Sequence, residues 1–92
     1  MIAWVVQFTK EGKKTLHELH INNQRNIKDA LKELAKTEKQ GKDVKELTET
    51  LQGFYSLHVS NYRVIYSMIA EKLILHYTGH RKTIYDEFSE LT

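Results

Sequence analysis

Cysteine and proline are both absent from this chain of 92 residues. Without cysteine there is no disulfide framework, no thiolate nucleophile and no cysteine-ligated metal. No proline-rich stretch, low-complexity tract or internal repeat divides the chain, so residues 1–92 are expected to form a single domain. Long apolar runs and a signal-peptide pattern are also missing, which predicts no membrane contact and a cytoplasmic setting. HExxH, a Gly-rich phosphate loop and an EF-hand pattern are all lacking. Neither a metal nor a nucleotide cofactor is therefore expected.

Net charge is small as well, at +2, but it is unevenly spread. Residues 1–53 mix ten Lys/Arg with eight Asp/Glu. Residues 54–85 carry Arg63, Lys72, Arg81 and Lys82 against Glu71 alone, with three of the five histidines. A local basic patch holding histidines suits a phosphate-bearing partner.

The hydrophobic pattern divides into segments. IAWVVQF (2–8) is β-branched and aromatic and predicts a strand. Thr9 can cap a helix over about 10–20, with Leu16 and Leu19 facing inward. Ile27, Ala30, Leu31, Leu34 and Ala35 follow helical spacing and predict an amphipathic helix over 23–39. Asn22 or Asn23 would cap that helix and Gly41 would end it. After a polar connection come three strand-like runs, 54–59, 62–69 and 73–79. The order β-α-α-β-β-β predicts an α+β fold, with two N-terminal helices packed on one face of a small, mainly antiparallel sheet.

The strands can be registered from their apolar residues. A turn at Ser60-Asn61 pairs His58 with Arg63, Leu57 with Val64 and Tyr55 with Tyr66. Leu57, Val59, Val64, Tyr66 and Met68 then share a core face. A turn at Glu71-Lys72 pairs Met68 with Leu75, Tyr66 with Tyr77 and Arg63 with His80. His58, Arg63 and His80 are then expected side by side, facing away from the core. Arg81 and Lys82 follow at the strand end, and Tyr85 one short turn later.

That inventory suits metal-free phosphodiester chemistry on RNA. Imidazoles at His58 or His80 can move protons near neutral pH. The guanidinium forks of Arg63 and Arg81 match phosphate geometry. Tyr85 can stack on an unpaired base or assist as an acid. Lys82 and Ser56 are further expected RNA contacts.

Two segments, LQGFYSLHVSNYRVIYSM (51–68) and LILHYTGHRKTIYDEF (73–88), resemble the RelE/ParE superfamily of bacterial type II toxin–antitoxin toxins. The resemblance implies a RelE-like fold, a cognate antitoxin partner and a toxin–antitoxin hetero-oligomer. RelE-like members cleave mRNA in the ribosomal A site without a metal, whereas ParE-like members inhibit DNA gyrase. By the same resemblance Arg63 matches the phosphate-binding arginine, Arg81 the second arginine and Tyr85 the tyrosine near the C-terminus. The lysine pair of the best-known RelE type falls here on Ser56 and His58. Some relatives use an upstream glutamate as base, which Glu46 or Glu49 would supply here, with His80 as acid. An mRNA interferase is the leading expectation. The alternatives are a gyrase inhibitor and a disarmed antitoxin-binding homologue.

Overall fold

The computed structural model describes residues 5–37, 44–47 and 51–91. They run β1 (Val5–Phe8), α1 (Lys10–His17), α2 (Ile21–Thr37), β2 (Val44–Glu46), β3 (Tyr55–Val59), β4 (Tyr62–Ile69), β5 (Lys72–His80) and α3 (Ile84–Leu91). The five strands form one sheet in the order β1-β5-β4-β3-β2. β1 runs parallel to β5, and the other pairs are antiparallel. The fold is α+β with α1 and α2 on one face of a mainly antiparallel sheet, as the segment order implies. β2 and α3 are additions to that order.

Thr9 starts α1 as expected, its hydroxyl accepting from the Gly12 N–H at 3.0 Å. α2 begins two residues earlier than its apolar spacing suggests, so the cap falls on His20 rather than Asn22 or Asn23. The His20 Nδ1 accepts from the Asn22 N–H at 3.2 Å and satisfies a first-turn donor. Gly41 lies outside the described residues, as do residues 2–4 of the first predicted strand. The apolar stripe of α2 buries Ile27, Leu31, Leu34 and Ala35 against Leu57, Val64, Tyr66, Leu73 and Leu75 of the sheet. Burying each Leu or Ile there is favourable by about 1.5–3 kcal/mol. Arg25, Lys28 and Lys32 stay exposed on the opposite side of the helix.

The first hairpin has the register read from the sequence: His58 opposite Arg63, Leu57 opposite Val64 and Tyr55 opposite Tyr66. Its left-handed residue is Ser60, at φ 58°, not the asparagine. The second hairpin differs from expectation. It turns at Ala70-Glu71, with φ of 50° and 65°, which brings Met68 to Leu73 and Tyr66 to Leu75. Neither turn residue is Gly or Asn, so the usual sequence mark of such a turn is missing.

The register then shifts again between Ile65 and Tyr66. Ile65 pairs with Tyr77 while Tyr66 pairs with Leu75, which leaves His76 as an extra residue on β5. Beyond this bulge Arg63 faces Gly79 and Tyr62 faces His80. His80 therefore lies on the opposite face of the sheet from Arg63 and His58, which corrects the expected row of three.

α1 holds the bulge in place. The Thr9 N–H donates to the Leu75 carbonyl at 3.0 Å, and the Thr9 hydroxyl donates to that of His76 at 3.3 Å. The Thr78 N–H donates to the Thr15 hydroxyl at 3.0 Å. Side chains from α1 thus satisfy β5 backbone groups past the end of β1. Gly12 makes this approach possible, since a Cβ there would lie 2.2 Å from the Leu75 carbonyl oxygen.

The second sheet face also differs from expectation. Ser56 and Ser67, expected to face away from the core, are buried on it together with Ile65. α3 covers them, forming a smaller core from Leu47, Leu51, Ile65, Ile84 and Phe88. Ile84 and Phe88 are four residues apart and so share one side of the helix.

Candidate active site

The second sheet face brings several of the expected residues together. Ser56, His58 and Arg63 lie on it in adjacent positions of β3 and β4. His58 and Arg63 stand directly opposite each other and are both half-buried. Such cross-strand partners have Cβ atoms about 4.5–5.5 Å apart, so an imidazole and a guanidinium share one patch. The His58 Nε2 is buried and has no hydrogen-bond partner among the described residues. An orphaned buried nitrogen costs about 1–3 kcal/mol, a penalty that calls for a functional explanation.

Tyr85 enters this patch from α3. Its hydroxyl lies 3.2 Å from the Ser56 Oγ, one register row from His58. Ser56 is completely buried and already engaged, so its hydroxyl is not available for the RNA contact expected of it. α3 is anchored by Glu87, whose carboxylate accepts from the Thr83 hydroxyl at 2.6 Å and the Tyr77 hydroxyl at 2.8 Å. The Thr83 bond, then the Tyr77 bond, holds the Glu87 carboxyl below the usual carboxylate range. Burial, followed by the bond to Glu87, pushes the Tyr77 phenol up to about 12. Tyr77 therefore stays protonated and keeps donating.

Arg81 and Lys82 occupy the turn after β5, both exposed. The Arg81 N–H donates to the Asn61 carbonyl at 3.0 Å, which fixes this turn beside the β3–β4 turn and the end of the patch. His80 is exposed on the other face, its ring centroid 6.1 Å from that of Tyr62. The Lys82 N–H donates to the His80 Nδ1 at 3.2 Å, which leaves Nε2 as the protonated nitrogen of the neutral ring. Glu46 is an exposed residue of the edge strand β2, and Glu49 lies outside the described residues. The face thus joins His58, Arg63 and Tyr85, with Arg81 and Lys82 at its end, and separates His80 from them.

Two contributors were not foreseen. Lys45 on β2 pairs with Ser56 and so belongs to the same face. A three-residue strand gives too short an alternation to be recognised. α3 did leave a signal: Thr83 stands before it, Asp86 and Glu87 fall in its first turn, and Ile84 and Phe88 recur at four. A groove of about 360 Å³ on the other side of the molecule is lined by Phe8, Lys13, Leu16, His17 and Lys28. It lacks both the arginine fork and the tyrosine.

Comparison with known proteins bears on the family and the fold. Residues 3–85 match the family described as ParE toxin of type II toxin-antitoxin system, parDE. No curated protein sequence matches the chain significantly. Among solved structures, the chain is similar to the toxin–antitoxin complex RelBE2 of Mycobacterium tuberculosis, with TM-score 0.73 and 23% identity over 87% of this chain and 100% of that one. It is similar to the RelB-RelE antitoxin–toxin complex of Methanococcus jannaschii, with TM-score 0.68 and 25% identity over 89% and 98%. A mutant of the Escherichia coli toxin RelE in the free state aligns over 98% of both chains, with TM-score 0.72 and 18% identity.

Proposed function

This chain belongs to the ParE toxin family of type II toxin–antitoxin systems, and on that premise we propose that it is a metal-independent, ribosome-dependent mRNA endonuclease. The observation that carries the reading is the pairing of His58 with Arg63 on the face that Tyr85 reaches. Arg63 binds the scissile phosphate and stabilises charge on its non-bridging oxygens. Arg81 adds a second fork from the turn. Loss of one such donor typically lowers the rate about 100- to 1000-fold. His58 moves the 2′-hydroxyl proton, and its Nε2 has no competing partner among the described residues. Tyr85 orients the RNA or protonates the leaving 5′-oxygen. His80, on the other face, is not used in this scheme. The protein acts in the cytoplasm, and a cognate antitoxin neutralises it in a hetero-oligomer, as in the RelB-RelE complexes it resembles.

The test is cleavage of mRNA on purified translating ribosomes in excess chelator. Wild type should give discrete cuts in the A-site codon, and Arg63→Ala and Arg81→Ala should abolish them. A folded wild-type protein that makes no cuts sinks the reading.

A second reading is inhibition of DNA gyrase, favoured by the ParE description of the matching family. It needs no proton carrier at position 58. A supercoiling assay separates the two, because only a gyrase inhibitor blocks supercoiling in the absence of ribosomes.

A further inference from the structure

Ser56, expected to touch RNA, is instead completely buried. Among the described residues its hydroxyl has one partner, the Tyr85 hydroxyl at 3.2 Å, and the Tyr85 hydroxyl has no other partner either. The body of Tyr85 packs against the smaller core of Leu47, Leu51, Ile65, Ile84 and Phe88. Those side chains are all apolar, so they hold the ring but cannot orient its hydroxyl. Ser56 is the polar group that does so. Solvent does not reach Ser56, so water cannot take over that bond. The next row on the same face is His58 opposite Arg63, which places the phenol oxygen beside the pair assigned to the phosphate.

On the endonuclease reading above, we propose that Ser56 is a positioning residue that holds Tyr85 as the acid of the reaction rather than as a stacking surface. In the resting site the Tyr85 O–H donates to the Ser56 Oγ. As the 2′-oxygen bonds to phosphorus, His58 takes the 2′-hydroxyl proton. The bond from phosphorus to the 5′-oxygen breaks, and the phenol O–H turns from Ser56 and gives its proton to that oxygen. The products are a 2′,3′-cyclic phosphate and a 5′-hydroxyl, with an imidazolium at His58 and a phenolate at Tyr85. Exchange with solvent restores both side chains. Ser56 meanwhile turns its own O–H to the phenol oxygen, and a hydrogen bond to the charged form stabilises it. A hydroxyl can accept and then donate, whereas a carbonyl only accepts and an ammonium only donates. The buried serine follows both states of the phenol by rotating a single hydrogen. Ser56 touches Tyr85 and not the reacting atoms.

The experiment compares two mRNAs on purified ribosomes, one ordinary and one with sulfur in place of the 5′-oxygen at the cut. A thiolate leaves without being protonated, so the sulfur mRNA bypasses the acid. General acid–base groups contribute about 100- to 10,000-fold. Tyr85→Phe should therefore cut the oxygen mRNA about 100-fold more slowly, and Ser56→Ala about tenfold more slowly, at saturating protein. Both should cut the sulfur mRNA within about twofold of wild type, since no proton is needed there. Ser56→Ala should add nothing in the Tyr85→Phe background. Ser56→Cys, which keeps the site filled but bonds only weakly, should repeat the Ser56→Ala pattern and guards against a folding defect. A Ser56→Ala protein that cuts the oxygen mRNA as fast as wild type overturns the role. So does an equal loss on both mRNAs, or a loss that persists in the Tyr85→Phe background. A folded wild type that cuts neither mRNA removes the endonuclease reading and this role with it. A wild type that cuts both, beside serine variants that lose rate on both alike, removes the role of Ser56 alone.

Discussion

The hydroxyl of Tyr85 lies 3.2 Å from the Ser56 Oγ, and this bond ties α3 to the strand next to the edge of the sheet. It is the polar link between the smaller core and the patch that holds His58 and Arg63. A neutral hydrogen bond of this kind contributes about 0.5–1.5 kcal/mol. Tyr85→Phe and Ser56→Ala should each destabilise the fold by about that amount, and the double variant by less than their sum. Urea unfolding of the four proteins measures the coupling, and strict additivity would show that the bond does not form.

Gly12 presents a test of the α1–β5 contact. Alanine in a helix is favoured over glycine by about 1 kcal/mol. Here the added Cβ would fall 2.2 Å from the Leu75 carbonyl oxygen and 2.9 Å from its carbon, both backbone atoms that cannot swing aside. Overpacking of this kind costs about 1–3 kcal/mol and would also stretch the Thr9 and Thr15 bonds to β5. Gly12→Ala is therefore expected to lower stability by about 2 kcal/mol in denaturant titration. A gain of stability would mean that α1 does not sit this close to the strand.

His58 should show opposed effects on stability and activity. Its buried Nε2 lacks a partner among the described residues, so His58→Leu removes an unsatisfied polar atom. Stability should stay level or rise by about 1 kcal/mol. Ribosome-dependent cleavage by the same variant should fall at least tenfold, since general acid–base groups contribute about 100- to 10,000-fold. Full activity in His58→Leu would transfer the proton-moving role to another residue.

His76 makes stability depend on pH. Its Nε2 lies 2.7 Å from the Ser67 Oγ, and its ring packs against Phe54 and Phe88. Burial holds the imidazole below its ordinary value of 6.5. Just below pH 6.5 the unfolded chain then binds more protons than the folded one, so stability rises with pH in that window. The contribution is fully present above about 6.5 and is lost as pH falls toward the folded value. Wild type should lose more stability between pH 7.5 and pH 5 than His76→Gln does. Parallel pH profiles would show that His76 is not responsible.

Local pattern is enough to specify the main layer of this protein. The helical spacing of Ile27, Leu31, Leu34 and Ala35 and the alternation in 55–59 and 62–68 set which sides are buried, because apolar periodicity is a local property. The same alternation dictates the first hairpin, where slipping by one residue would put Leu57 and Val64 on the wrong face. His58 and Arg63 follow from that register, so this pair is legible in the amino-acid sequence alone. The rest depends on contacts distant in the chain. The bulge at His76 exists because Thr9 and Thr15, more than sixty residues away, satisfy the β5 backbone, and that extra residue moves His80 to the other face. α3 is eight residues long and too short to hold its shape in water alone. Packing of Ile84 and Phe88 on Ile65 stabilises it, and this packing brings Tyr85 to Ser56. Periodicity thus chose the faces, and long-range backbone satisfaction and packing chose which side chains meet on them.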